Sequence, residues 1–361
     1  GFDNDQIHDM VRSPDGGYYL TGGTGSFGEG NFDVVLVKIN SSGELEWSKS
    51  FGTPNIEIGR KIAIDHEDNL IIITSVGNVT NTPLTALIKL DPFGNTIWEK
   101  FMPITYINGA LAITKNNDII LGTNFNFPSN RIYKFSKSGN TLWAYEYNNG
   151  ENNVTLGGIY VTSDNHYIID SGTTNSQFSS SSLMKIDSTG TIIWKNKLLN
   201  SAWAAHDLFY ELADSSYIYF ASFYNQIACY KISKSGVVST NIKAFGGGGF
   251  TDIPSSATKI SDSQFIIAGQ TNSIGNGSGT GFVASYDTSG IVNWVSYIGS
   301  GNGPVKIIAN DFGYAITGWV SNNCDFSPQD FYFSQMDFLG INNCQGNFGS
   351  FRTDDTVSTV S

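Results

Sequence analysis

The chain has 361 residues, more than most single domains hold, so it comprises either two domains or a repeat architecture. Charged residues make up 14% and aromatic residues 13%, with 40 glycines, which excludes long solvated helices and favours short strands joined by tight turns. A net charge of −12 argues against nucleic acid as a partner. No apolar run reaches the roughly eighteen residues of a membrane-spanning helix, so no transmembrane segment is expected.

An internal repeat of roughly fifty residues runs through the chain. Each copy has an apolar segment, a polar turn ending in glycine, and a second segment, as in LIKLDPFGNTIW around Gly94. In chain order, the turn glycines are Gly43, Gly94, Gly139, Gly190, Gly236, Gly290 and Gly340. Seven copies predict seven blades, with approximate bounds 1–51, 52–102, 103–148, 149–198, 199–244, 245–299 and 300–349. The polar residues 350–361 are predicted to be a tail or linker.

Four short strands are predicted within each copy. The first, such as residues 61–64, is followed by a polar turn and a second apolar strand, as in DHEDNLIIIT. The third and fourth strands flank the glycine, which supplies the positive φ of a hairpin turn, and an Asn, Asp or Ser three residues earlier bonds the turn backbone. The chain is therefore predicted to be an all-β, seven-bladed β-propeller with four antiparallel strands per blade. Blade 7 is expected to meet blade 1 by packing, without a shared strand.

The repeat also resembles known propeller families. The LxKxDxxGxxxW core and GGYYLTGGT look like the repeats of large secreted bacterial proteins of the SBBP and delta-60 type, and more distantly like quinoprotein repeats. The resemblance covers nearly the whole chain and implies the propeller fold, while its shared residues hold blades together and imply little about function. Quinoprotein dehydrogenases usually have eight blades and adjacent cysteines over the cofactor, so their quinone is not expected here.

Two side-chain rows recur with the repeat. Tryptophan stands four residues after the glycine in five copies, at Trp47, Trp98, Trp143, Trp194 and Trp294. This regularity favours buried packing between blades over a sugar-stacking surface. Lysine stands five residues before the glycine in five copies, at Lys38, Lys89, Lys134, Lys185 and Lys231. The lysines either form a ring for a polyanion or cover the neighbouring tryptophans with their aliphatic stems, and the second interpretation is favoured.

The four histidines, His8, His66, His166 and His206, have no metal-ligand spacing, so no transition-metal site is expected. His66 and His166 fall in the turns between first and second strands of different blades. Asp65, Glu67 and Asp68 lie in one such turn and could hold calcium, although acidic turns of this kind are usually only solvated. No other cofactor is predicted.

Candidate functional residues fall in the connections between blades and between second and third strands. The candidate binding residues are Tyr106, Trp203, Phe250 and Trp319, and Phe125, Phe127 and Asp252 lie in the same regions. His206 beside Asp207 is a candidate acid/base pair, weakened because neighbours on a loop often point apart.

Two functions remain open. The first is a non-catalytic extracellular or cell-surface scaffold, adhesive or otherwise, that presents loops to a protein or glycan. The alternative is a carbohydrate-active propeller lyase or hydrolase that uses residues near His206. The initial residues GFDNDQIHDM lack the basic and apolar regions of a signal peptide, so the sequence is expected to be a mature product or to begin after the signal.

The three cysteines fit neither a zinc site nor a disulfide scaffold. Cys344 takes the tryptophan position of the last copy, and Cys324 precedes the third strand of the same copy. A disulfide between them would tie this loop to the terminal strand and would imply an oxidising compartment. Cys229, within the apolar strand QIACYKI, is predicted to be a free, buried thiol.

Overall fold

The computed structural model describes residues 4–29, 31–77, 84–102, 110–125, 129–148, 154–174, 179–199, 201–202, 208–223, 226–239, 243–245, 252–272, 279–289, 291–300, 302–320 and 330–338. Within these ranges every regular element is a strand, and no helix is present that could span a membrane. The strands form seven antiparallel sheets, one per repeat, each ordered as in the sequence. The fold is a seven-bladed β-propeller, as predicted.

The chain divides into two compact units, residues 1–107, 137–140 and 310–361, and residues 108–136 and 141–309. The first unit holds two complete blades. Blade 1 consists of β1 (Asp5–Arg12), β2 (Tyr18–Thr24), β3 (Asp33–Ile39) and β4 (Leu45–Phe51). Blade 2 consists of β5 (Ile56–Ile64), β6 (Leu70–Gly77), β7 (Leu84–Leu90) and β8 (Thr96–Met102).

The second unit holds blades 3 to 6. Blade 3 consists of β9 (Ala110–Ile113), β10 (Ile119–Phe125), β11 (Ser129–Phe135) and β12 (Thr141–Asn148). Blade 4 consists of β13 (Val154–Val161), β14 (Tyr167–Thr174), β15 (Ser179–Ile186) and β16 (Ile192–Leu199). In blade 5 the first strand has two pieces, followed by three strands: β17 (Ser201–Ala202), β18 (Phe209–Glu211), β19 (Tyr217–Phe223), β20 (Gln226–Ile232) and β21 (Lys243–Phe245). Blade 6 consists of β22 (Asp252–Ser261), β23 (Gln264–Thr271), β24 (Thr280–Asp287) and β25 (Val292–Ser300).

Blade 7 has three described strands, β26 (Asn302–Asn310), β27 (Gly313–Val320) and β28 (Asp330–Asp337). In each blade we call the end where the first strand begins and the second strand ends the loop end. The opposite end, with the tight turns, is the turn end. Within the first unit, blades 7 and 1 share no strand among the described residues and meet through side chains. Gln335 Nε2 donates to the Ser41 carbonyl at 3.0 Å, and Arg12 pairs with Asp311 at 2.6 Å.

The hairpin turns between third and fourth strands form as the repeat predicts. Gly43, Gly94, Gly139, Gly190 and Gly236 all have φ between 76° and 92°, the left-handed region that glycine adopts most easily. At the first of these turns, Oδ1 of Asn40 accepts hydrogen bonds from the amides of Ser42 and Glu44. Asp91, Asp187 and Asp287 accept the same pair of bonds in their turns. The turn chemistry is therefore local.

Burial is greatest in the second and third strands. All seven residues of β2 and of β3 are buried, because both sides of these strands pack against neighbouring sheets, whereas β4 is mostly half-buried. In the second unit one apolar cluster includes Ile168 of blade 4, Tyr217 of blade 5 and Phe265 of blade 6. Within each unit, the core thus consists of layers between successive blades.

The repeated tryptophans connect each blade to the turn of the next one. The indole Nε1 donates to a turn carbonyl: Trp98 to Lys137 at 3.3 Å, Trp143 to Ser188 at 3.2 Å and Trp194 to Lys234 at 3.2 Å. The rings are half-buried, so the prediction of buried rings between blades overstated their burial. The fourth strand is the outer strand of its sheet, which leaves one side of each ring open. Packing against the next blade, as predicted, is the role that these contacts support.

Candidate functional site

The structure describes few of the predicted site residues. Trp203, His206, Asp207, Tyr106 and Phe250 lie outside the described residues, as do Phe127 and the side chain of Phe125. The predicted pairing of His206 with Asp207 stays a prediction. Trp319 is half-buried at the end of β27, and Asp252 is buried at the start of β22, so both lie at the loop end of their blades.

The segment 203–207 occupies a different place in the chain from the one predicted. The sequence predicts a connection between blades here, which would precede the first strand of blade 5. However, Ser201 and Ala202 already pair with Phe223 and Ser222 of the second strand of blade 5. The segment therefore lies between the two pieces of the first strand of that blade, β17 and β18.

Buried acidic side chains fasten the strand ends at the loop end. Asp252 accepts a hydrogen bond from Thr271 at 2.5 Å, joining the start of β22 to the end of β23. Asp5 accepts the equivalent bond from Thr24 at 2.5 Å and a second from Ser26 at 3.0 Å. Asp5 and Asp252 are 6% and 2% exposed, so these bonds are shielded from water. These bonds hold the strand ends of blades 1 and 6 from which connections leave, and we call them the loop-end pins.

A third acidic side chain acts in blade 2. Glu57, which is 5% exposed, accepts hydrogen bonds from the amide of Thr53 at 3.0 Å and from its hydroxyl at 2.5 Å. These bonds fix the chain as it enters β5. Carboxylates that accept hydrogen bonds from backbone and hydroxyl groups are serving as structural acceptors, which accounts for their burial.

The lysine row is a set of ion pairs at the turn end. In five blades the lysine of the third strand pairs with an aspartate of the turn between first and second strands. The pairs are Asp15–Lys38 at 2.7 Å, Asp65–Lys89 at 2.6 Å, Asp118–Lys134 at 3.1 Å, Asp164–Lys185 at 2.9 Å and Asp214–Lys231 at 3.7 Å. Because each ammonium has a carboxylate partner, the row does not present the unpaired cations that a polyanion site needs.

The predicted packing of lysine on tryptophan needs a correction. Lys38 does lie directly across from Trp47 in the sheet. The ring under its ammonium is nevertheless that of Tyr19, with Nζ 4.9 Å from the ring centre. Lys134 and Lys185 likewise lie over Tyr167 and Tyr217. Sequence spacing identified the neighbour along the hairpin but missed both the aspartate and the tyrosine.

The acidic turn considered for calcium has lysine partners. Asp65 pairs with Lys89, and Glu67 pairs with Lys137 at 2.7 Å. Asp65 also accepts hydrogen bonds from the amides of Glu67 and Asn69, so it closes its own turn. Among the described residues, no group of three His, Cys, Asp or Glu side chains is arranged to hold a metal ion.

A polar cluster in the first unit was missed by sequence reasoning. The ladder between β1 and β2 skips His8, and the ladder between β5 and β6 skips Arg60, so each is the extra residue of a β-bulge. Arg60 Nε donates to the Ser75 hydroxyl at 3.2 Å. Nearby, Lys61 lies 3.8 Å from Asp9, which also accepts the amide of Ile62.

Burial and the charges of Arg60 and Lys61 lower the pKa of His8 to about 4. The imidazole is therefore neutral at pH 7 and too weak a base for proton abstraction there. Its Nε2 is buried and has no hydrogen-bond partner among the described residues. Chemically, this cluster places a neutral imidazole nitrogen, able to accept or donate a hydrogen bond, beside cations of which Lys61 has the Asp9 carboxylate as its partner.

A sequence signal for this cluster exists in hindsight. His8 and Arg60 each stand ten residues before the first residue of the second strand, as does the bulged residue Gly157 of blade 4, whereas the bulged residue Ser255 of blade 6 stands nine residues before it. In blade 5, the residue ten positions before the first residue of the second strand is Asp207, which lies outside the described residues. Because a bulge interrupts the alternating pattern of a strand, periodicity alone does not reveal it.

Cys229 is 5% exposed on β20, and burial raises the pKa of its thiol to about 12. It is a free cysteine, as predicted. Cys324 and Cys344 lie outside the described residues, so the disulfide between them stays a prediction.

Comparison with solved structures supports the fold. A protein from Lactobacillus plantarum superposes with a TM-score of 0.60 at 11% identity, covering 91% of this chain and 94% of that one. The β-propeller domain of the Trilobed protease from Pyrococcus furiosus, described as having an open velcro topology, gives 0.55 at 9% identity, covering 91% and 92%. A puromycin hydrolase gives 0.55 at 8% identity, covering 96% of this chain and 55% of that one. At these identities the similarity concerns the propeller fold alone. No protein-family model and no curated protein matches the chain.

Proposed function

We propose that the chain is a non-catalytic binding module of the extracellular or cell-surface kind, which presents the connections at its loop end to a protein or glycan ligand. The observation that carries the proposal is the set of loop-end pins. Asp5, Glu57 and Asp252 are buried and bond the residues that lead into the connections. Fixing the strand ends from which connections leave lowers the entropy lost on binding, which is what a recognition surface needs.

Two further features support this function. The resemblance to repeats of large secreted bacterial proteins fits an extracellular setting. In addition, the described lysines of the repeat pair with aspartates within their own blades, so these recurring charges stabilise the scaffold. Recognition then falls to residues that differ from blade to blade, such as Trp319.

The experiment is a binding screen of the purified chain against a glycan array and a panel of extracellular matrix proteins. Each hit is measured by biolayer interferometry with Trp319→Ala and with Thr24→Val, which removes one pin. We expect at least one of these variants to weaken binding about tenfold, equivalent to ~1.4 kcal/mol. Phe93→Ser and Phe312→Ser, at exposed turn-end positions, are the matched controls and should bind normally.

The same screen includes a test for catalysis. Glycan hits are incubated with the chain and analysed by mass spectrometry for cleavage or elimination products. Product formation that depends on His206 would replace the binding function with the enzymatic alternative. Binding that is weakened equally by the turn-end variants would place the recognition surface elsewhere.

A further inference from the structure

Blade 4 buries a carboxyl group at a position where no other blade has an ionisable residue. Asp170 is the fourth residue of β14 and is 7% exposed. It pairs with the third-strand residue seven before the turn glycine, and the residues of the other second strands that pair with this position are Thr21, Ile73, Gly122, Phe220, Ala268 and Thr317. Packing between blades therefore does not require a carboxyl group here, and its presence calls for a local explanation.

Polar groups from two blades surround this carboxyl. Asp170 lies directly across from Leu183 in the sheet, so it shares a side of the blade with Ser181, two residues before Leu183. The Tyr219 hydroxyl of blade 5 lies next to both Asp170 and Ser181. Ser181 and Tyr219 are at most 1% exposed, and Tyr230 packs behind Tyr219 with ring centres 6.1 Å apart. Oδ1 of Asp170 has no hydrogen-bond partner among the described residues.

Among the described residues, few atoms approach the side of β14 that carries the carboxyl at Gly172. Gly172 is two residues further along β14 and faces the same side as Asp170. Of the described residues, only the Ser180 carbonyl comes within 4 Å of a Cβ built on Gly172, at 4.0 Å. At the matching Gly23 of blade 1, the Phe32 ring occupies the space that such a Cβ would take. As far as the described residues show, blade 4 thus has a small polar niche where blade 1 has a phenyl ring.

The cation nearest along this side of β15 already has partners. Lys185 pairs with Asp164 at 2.9 Å and donates to the Tyr217 hydroxyl at 2.9 Å. An ionised Asp170 therefore needs another counter-charge, because a buried, unpaired carboxylate is strongly disfavoured. Consistent with this, burial raises the pKa of Asp170 to about 7 in the absence of a bound ion.

We propose that the niche formed by Asp170, Ser181 and Tyr219 binds a monovalent alkali cation, Na⁺ or K⁺. A carboxylate and two hydroxyls are hard oxygen ligands, which suit alkali and alkaline-earth ions rather than transition metals. One negative charge matches one positive charge, whereas calcium sites collect several carboxylates. The site goes beyond the proposed binding function and does not depend on it, since it lies between two blades and stabilises their contact.

Cation and proton compete for the same carboxyl. The titratable groups that face Asp170 across the interface are Tyr219 and Tyr230, which stay neutral near pH 7. On its own side of the blade, Lys185 stays charged beside Asp164. Stabilisation by the cation should therefore increase as pH rises through the range in which Asp170 loses its proton.

Thermal unfolding of the full chain tests the site. The midpoint is measured at pH 6 and pH 8 in NaCl, KCl and choline chloride at equal ionic strength, because choline is too large for the niche. We expect NaCl or KCl to raise the midpoint by several degrees over choline at pH 8, and by clearly less at pH 6. Equal midpoints in the three salts at pH 8 would show that a proton alone satisfies Asp170 and would overturn the proposal.

Two variants locate the effect. Asp170→Asn should remove the difference between salts, and Asp164→Asn, which alters the other carboxylate of the same interface, should keep it. A salt difference that persists in Asp170→Asn would overturn the assignment. Excess broadening of the ²³Na signal by the wild-type chain, reversed by KCl, provides a readout that does not require a folded variant. No excess broadening, together with no effect of KCl on the midpoint, also contradicts the proposal.

Discussion

The ion pair between Asp65 and Lys89 offers a sharp test of how the repeat is stabilised, because the equivalent ion pair of blade 5 is exposed to solvent. Asp65 Oδ2 lies 2.6 Å from Lys89 Nζ, and the two side chains are 1% and 5% exposed. In blade 5, Asp214 and Lys231 are 3.7 Å apart, and their side chains are 61% and 52% exposed. Asp65→Asn and Asp214→Asn make the same chemical change in the two settings.

The expected loss of stability in Asp65→Asn follows from the burial of the ion pair. Burial alone would raise the pKa of Asp65, but the bond from Lys89 and the turn amides hold it below its usual value, so the charged pair is the stable form. Asparagine keeps an oxygen for the amides of Glu67 and Asn69 but leaves the Lys89 ammonium buried without a counter-charge. Breaking a buried pair in this way costs about 3–5 kcal/mol. The exposed pair is screened by water, and Asp214→Asn should leave stability nearly unchanged.

Urea unfolding followed by tryptophan fluorescence measures both variants against the wild type. The two transitions should have the wild-type slope, so that the shift in midpoint reports stability directly. The double variant Asp65→Asn/Lys89→Met should recover part of the stability lost in Asp65→Asn, because it also removes the buried, unpaired ammonium of Lys89. Equal midpoints for Asp65→Asn and Asp214→Asn would refute the argument that burial makes this pair important.

Three other results are expected. Trp98→Ala should lower the free energy of unfolding in urea by about 2–3 kcal/mol, less than the loss of a fully buried tryptophan. Trp98→Phe should recover the packing but not the hydrogen bond to Lys137. A loss for Trp98→Ala no larger than that of a surface substitution, about 0.5 kcal/mol, would contradict the packing role. Because the pKa of His8 is lower in the folded than in the unfolded chain, stability should be complete above about pH 6.5 and fall by about 2–3 kcal/mol towards pH 4. His8→Gln should flatten that part of the pH profile, and parallel profiles would rule out His8 as its source. Mass measurement after alkylation of the unreduced, unfolded chain should find one reactive thiol if Cys324 and Cys344 are bonded, and three if they are not.

The features that sequence predicted well are local ones. The hairpin around Gly43 is determined by the four neighbouring residues 40–43, in which Asn40 accepts a turn hydrogen bond and Gly43 adopts the positive φ. The repeat of that hairpin gave the blade count. The role of the tryptophans also followed from regular spacing, although their degree of burial depends on the position of the outer strand in the sheet.

Features that depend on residues far apart in sequence were missed. Asp15 lies in the turn between β1 and β2 and Lys38 lies on β3, so only the folded sheet brings them together. His8 was dismissed for lack of metal-ligand spacing, and the bulge that makes it distinctive is invisible in an alternating pattern. Asp170 stands in an ordinary apolar strand, YIID, and nothing in the sequence shows that its side chain meets Tyr219 of the next blade.

The acceptor that receives each tryptophan is a main-chain carbonyl, contributed by Lys137, Ser188 and Lys234 in successive turns. A carbonyl is present whatever side chain occupies the position, so the contact places no demand on the identity of the receiving residue. A duplicated or deleted blade would find the same acceptor in its new neighbour without a compensating substitution. This contact lets the number of blades, and the connections that each carries, change during evolution more freely than interlocking side chains would.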